Sequence, residues 1–177
     1  MQNVSMEPSF AGVCGITAEE LERDLAPDVA LLAERMGISE RECRAALKAK
    51  YDGYRFCEGS PDIYNPYSLV NALQYGRIGS YWFESVTPSS LVRMLKTSGF
   101  DLSDLEGVEA RAVTFDAPTE GMATPVPFMY QAGYLTIKSY DADYDAYMLG
   151  IPNKEVREGL YNACLLYTSP SPRDTER

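Results

Sequence analysis

The chain has 177 residues, 45% of them hydrophobic and 24% charged, with a formal net charge of −10. That composition is globular, and the acidic balance disfavours a freestanding nucleic-acid-binding module, because a negative surface repels phosphate backbones at long range. The first basic residue is Arg23, and the longest uncharged run, Gly121 to Ile137, is broken by Pro125, Pro127 and Gly133, so neither a signal peptide nor a membrane span is expected.

In chain order, residues 1–15 read as irregular or strand-like, ending at Cys14 and Gly15. Thr17 with Glu20 forms a capping box: the hydroxyl accepts from the third helical amide while the carboxylate reaches back to the cap amide. Leu21 and Leu25 follow on one face. A second helix is expected after Pro27 on Val29, Leu32, Ala33 and Met36, with Gly37 as its stop. Ser39 with Glu42 repeats the capping box, and Cys43, Ala46, Leu47 and Lys50 carry a third helix to Tyr51. There helical periodicity yields to aromatic punctuation. Gly53 can take a positive φ, which lets Tyr54 and Phe56 fold back as anchors of a small core.

Asn65 followed by Pro66 is a helix start, since asparagine caps free amides and proline at the first position gives up no bond. Tyr67, Leu69, Val70 and Leu73 are expected to face inward, with Gly76 or Gly79 as the end. Trp82, the single tryptophan, precedes a second such start at Thr87 and Pro88. Leu91, Val92, Met94 and Leu95 then form an apolar stripe stopped by Gly99. From Phe100 the chain is richer in turns. A helical turn is expected over 102–107, a strand over 109–113, a core anchor at Phe115 and a short helix from Thr124 and Pro125 to Gly133. Residues 134–140 and 144–151 alternate as two antiparallel strands about a turn at Asp141 to Asp143.

Four words stand out in this succession: YDGYRF (Tyr51 to Phe56), YNPYSLV (Tyr64 to Val70), QAGYLTIK (Gln131 to Lys138) and LGIPNKEV (Leu149 to Val156). Together they make the chain resemble the AAA-ATPase-like proteins, mostly bacterial, in which an ATPase part is followed by a PD-(D/E)XK nuclease-like domain. The resemblance runs from about Asn3 to about Tyr161. It implies a mainly α fold with a small β-hairpin, in which a helical AAA-like lid is followed by a winged-helix-like α+β subdomain. On that resemblance residues 1–15 are the remnant of the connection to an ATPase core, 16–99 the lid and 100–163 the connector. The partners implied are an ATPase core before Met1 and a nuclease-like domain after the connector, with ATP and Mg belonging to the intact protein. Residues 164–177 are expected to be non-native or disordered, because Cys164 to Asp174 reads CLLYTSPSPRD, the one-frame translation of a sequencing-library transposase adapter.

The chemistry within the chain is limited by what it lacks. No histidine is present, which removes the commonest metal ligand and the commonest general base together. The cysteines, Cys14, Cys43, Cys57 and Cys164, contain no CxxC pair; they point to a reducing, cytoplasmic setting without a disulfide framework or zinc site. No Gly-Lys dipeptide or GxGxxG occurs, so no phosphate-binding loop exists in the chain. Pro61-Asp62 matches half of a nuclease signature, but the Asp-x-Lys or Glu-x-Lys that would complete it is missing. Asp141, Asp143 and Asp145 fit the first positions of a calcium loop, whereas Ala146 and Pro152 occupy those that require glycine and glutamate. Asp52 and Arg55 invite a nucleotide-sensing role, and pairing with each other or with backbone is the favoured alternative. No catalytic, cofactor-binding or metal-binding residue is assigned. Against the lid-and-connector expectation stands a standalone winged-helix-like protein, or an interaction module for protein or nucleic acid that uses the thirteen tyrosines and the hairpin.

Overall fold

Thr17 and Ser39 start helices by the mechanism their spacing implies. Thr17 Oγ1 accepts from the Glu20 amide at 3.2 Å while Glu20 accepts from the Thr17 amide at 2.9 Å; Ser39 and Glu42 make the same pair of bonds at the same distances. The computed structural model describes residues 7–86, 91, 94, 95, 97, 99, 102–115 and 124–168. Over these residues the chain is α+β, helical for the most part, with two small antiparallel sheets.

After a 3-10 turn at Pro8–Phe10, strand β1 (Ile16–Thr17) leads into helices α1 (Ala18–Asp24), α2 (Ala26–Met36) and α3 (Glu40–Tyr51). Strand β2 (Ile63–Tyr64) pairs antiparallel with β1 and is followed by α4 (Pro66–Tyr75) and α5 (Tyr81–Val86). Gly37 and Gly76 close α2 and α4 in the left-handed conformation. Leu91, Met94, Leu95 and Thr97 are helical. Next come a 3-10 turn (Leu102–Leu105), β3 (Val108–Ala110), α6 (Ala112–Phe115), α7 (Val126–Gln131), β4 (Thr136–Asp141), β5 (Ala146–Gly150) and α8 (Lys154–Thr168). The strand expected over 109–113 is thus shorter, and its second half is α6. The cap-proline start at Thr87 and Pro88, Val92, Phe100, the Phe115 side chain and the last nine residues of the tail lie outside the described residues. Helix α8 continues from Ala163 through Thr168; extending an existing helix needs only one residue fixed per new bond.

Two apolar clusters organise the interior. Leu21, Val29, Leu32, Ala33, Cys43, Leu47, Tyr51, Tyr64, Leu69 and Ala72 join α1 to α4. The second cluster gathers Tyr54, Ile63, Phe83, Leu91 and Leu95 with Met129, Leu135, Ile137, Leu149 and Val156. Phe83, Leu91 and Leu95 therefore pack with the C-terminal elements, and the cores divide earlier in the chain than the change of character at Phe100. Strand β2 straddles the division: successive strand side chains point to opposite faces, so Ile63 enters one cluster and Tyr64 the other.

The three-stranded sheet has the order β3-β5-β4, with a register irregularity between Ile137 and Ser139. The hairpin expected from alternation is β4–β5. Its tip is Ala142 to Asp145, one residue longer and later than expected. Asp141 Oδ1 accepts from the Asp143 amide at 3.0 Å, and Tyr140 Oη donates to Asp145 Oδ1 at 2.9 Å, so these carboxylates shape an exposed turn.

Helix α4 departs from expectation. Leu69 is buried and Leu73 half-buried, but Tyr67 is 52% and Val70 48% exposed. The buried stripe is Ser68, Leu69, Ala72 and Leu73, spaced i, i+1, i+4, i+5. A polar residue, Ser68, begins it because a partner from far along the chain meets it there. Met36, expected in the α2 core stripe, is also exposed.

Candidate functional site

The four words of the sequence meet at one junction. Asn65 Oδ1 caps α4 by accepting from the Ser68 amide at 3.2 Å, and Asn153 Oδ1 caps α8 by accepting from the Val156 amide at 3.1 Å. These caps set two helix starts side by side. Ser68 Oγ donates to the Glu155 carboxylate at 2.7 Å, and the Trp82 amide donates to Glu155 Oε1 at 2.9 Å. Glu155 has no exposed surface. One buried carboxylate therefore ties α8 to α4 and supplies the acceptor at the start of α5, where free amides point outward from the helix.

The remaining words close the junction through backbone. Thr136 Oγ1 accepts from the Arg55 amide at 2.7 Å and donates to the Arg55 carbonyl at 2.9 Å. Tyr54 bridges Ile63, and the Asn65 amide donates to the Tyr51 carbonyl at 2.9 Å. Gly53, at φ 109°, lies so close to Pro152 that a Cβ there would stand 2.3 Å from the Pro152 carbonyl oxygen.

Asp52 and Arg55 do not pair with each other. Lys48 Nζ sits 3.0 Å from Asp52 Oδ2, an i, i+4 contact that the helix register provides. Arg55 forks onto Asp62 at 2.9 and 3.1 Å and donates to the Lys138 carbonyl at 3.2 Å. The extended backbone after Gly53 carries Arg55 away from Asp52 and alongside the turn that returns to β2. Asp62, half of the nuclease-like dipeptide, is thereby occupied in an ion pair. Among the described residues no group of three Asp, Glu or Cys side chains is placed to share a metal ion.

Beside this junction opens a cleft of about 360 Å³, lined by Tyr54, Phe56, Tyr64, Tyr67, Trp82 and Tyr130 together with Asn65, Gln131 and Thr136. Its described lining residues carry no charge. Without a cation or a phosphate-binding loop, the cleft does not fit the phosphates of ATP. Tyr54 Oη and Asn153 Nδ2 are buried without a hydrogen-bond partner among the described residues, although Asn65 and Asn153 stand close to the hydroxyl. The sequence marks Tyr54 and Phe56 as anchors but not the Ser68–Glu155 bond, whose partners are 87 positions apart. The only local signal was a serine placed between Tyr67 and Leu69 on an otherwise apolar face.

Burial pushes the Glu155 carboxyl above the ordinary glutamate value of 4.5, opposed by the bonds from Ser68, Trp82 and Tyr81 and by the charge of Lys50. The folded state then holds this proton more tightly than the unfolded chain. Its contribution is fully present below 4.5 and is lost as pH rises through the raised folded value. Glu155→Gln, which cannot titrate, is expected to remove that component from the slope of unfolding free energy against pH; urea titrations of both proteins across that window check it.

No protein-family model matches the chain. It is 30% identical over 179 aligned positions to the "Uncharacterized protein in vnfD 5'region" of Azotobacter chroococcum mcd 1. That match takes in the whole of this chain but only 32% of the relative, so the chain spans about a third of the length of the protein it matches. No solved structure matches. Among the described residues no helix is long and apolar enough to cross a membrane.

Proposed function

We propose that this chain is the lid-and-connector part of an AAA-ATPase-like protein with a nuclease-like domain, and that it couples an ATPase core to that domain without chemistry of its own. The observation that carries the proposal is the convergence of the four words on one junction, where Glu155 and Gly53 hold α8 against the helical unit. A relative about three times as long agrees with a part of a larger protein. The second unit supports the winged-helix-like reading. The helical residues Leu91 and Leu95 are followed by β3, α6, α7 and the β4–β5 hairpin, and β3 bonds to the far strand of that hairpin. A nucleic-acid-binding module is the weaker reading, since the hairpin tip carries Asp143 and Asp145 where a wing would approach phosphates.

A long sequencing read across the source locus tests the proposal. An open frame with a GxxxxGK[ST] loop upstream and a (D/E)xK signature downstream is expected. Stop codons bracketing residues 1 to about 163 would sink it and leave the interaction module as the better assignment. The isolated chain is expected to release no phosphate from Mg-ATP above a protein-free blank, and clear nucleotide-dependent turnover would contradict the non-catalytic role.

A further inference from the structure

The aromatic cleft has the size and position of a small-molecule site. Its volume of about 360 Å³ falls within the range of roughly 300–1,000 Å³ occupied by such pockets, which favour the seams between packed units. The walls are held in place from behind. Trp82 is anchored through its amide to Glu155, Thr136 is bonded twice to the Arg55 backbone, and Tyr54 pairs with Ile63. Gly133 brings two walls together, because a Cβ on it would stand 3.6 Å from the Trp82 ring and 3.8 Å from that of Tyr54.

We infer that this cleft binds an organic ammonium cation whose nitrogen is alkylated. The described lining offers aromatic rings, amides and a threonine but no charged side chain. An anion entering it would lose its water with no cation to replace it. A cation is drawn to the negative face of tryptophan and tyrosine rings, and the net charge of −10 raises its local concentration. Alkyl groups on the nitrogen supply the apolar surface that the rings cover and lower the desolvation penalty that a bare ammonium would carry. This inference does not depend on the lid-and-connector assignment.

Three probes of nearly equal size separate charge from shape: tetramethylammonium, tert-butanol and trimethylacetate. Each is titrated into the whole chain by calorimetry and by the fluorescence of Trp82, the chain's single tryptophan. Saturable binding of tetramethylammonium is expected, with both matched probes at least about 3-fold weaker, within what a cation–π contact supplies. Tyr67 lines the cleft and is 52% exposed, so it can be replaced without opening the core. Tyr67→Ala is expected to weaken the cation about 3-fold or more with an unchanged melting curve, and Tyr67→Phe to restore the affinity. No saturable binding of the cation, equal binding of tert-butanol, or a Tyr67→Ala protein of unchanged affinity would each overturn the inference.

Discussion

Replacing Glu155 by alanine is expected to destabilise the chain by about 3–4 kcal/mol, which is large for one side chain on a domain of this size. The carboxylate has no exposed surface and accepts from Ser68 Oγ and the Trp82 amide. Alanine removes the acceptor and leaves both donors buried, each at a penalty of about 1–3 kcal/mol, beside a new void. Part of the loss is recovered locally, because the Trp82 amide already lies 3.2 Å from Ser68 Oγ. Ser68→Ala is milder, about 1–2 kcal/mol, since the carboxylate keeps its backbone donors. The two changes combined should fall short of their sum, because both sever the same bond. Urea unfolding of the four proteins gives the cycle; strict additivity would mean that Ser68 and Glu155 are not coupled.

Gly53→Ala is expected to be comparably severe, about 3–5 kcal/mol, or a fall in Tm of roughly 10 °C. Two effects combine at this position. A φ of 109° is a conformation that side chains rarely adopt, and the added Cβ would meet the Pro152 carbonyl oxygen at 2.3 Å. That oxygen belongs to backbone held at the start of α8, so it cannot swing aside as the end of a flexible side chain would. Gly37 separates the two contributions. It closes α2 at φ 66° with open space where a Cβ would go, so Gly37→Ala should cost only about 1 kcal/mol. Thermal melts showing equal losses at the two glycines would mean that the Pro152 contact adds nothing.

Both substitutions act on the contacts that join the two units, and neither contact is visible in local sequence. What was legible has a local cause. Capping acts within a single turn, so Thr17 with Glu20, Ser39 with Glu42 and Asn65 with Pro66 could be read directly, and all start helices. Alternation placed the β4–β5 hairpin for the same reason, since a two-residue period lies within any short window.

Errors arose where a residue has two acceptable neighbours and only the fold chooses. Arg55 does bond backbone, at the Lys138 carbonyl, but its expected pairing with Asp52 fails because the backbone after Gly53 turns it toward Asp62 and gives Asp52 to Lys48. Tyr67 and Val70 are apolar enough for a core, but the arrival of Glu155 rotates Ser68 inward and leaves them at the surface. The strand expected over 109–113 is present as the shorter β3, but its pairing was not legible, because β3 spans three residues and meets β5 across about forty intervening positions.

Sequence alone therefore determined the helix starts, the hairpin, the acidic surface and the absence of a phosphate-binding loop, all properties of composition or of neighbours within one turn. The meeting of four distant words, the buried carboxylate between two helix starts and the uncharged aromatic cleft were decided by tertiary structure. They depend on contacts between segments far apart in the chain, and such contacts form only when apolar burial brings those segments together.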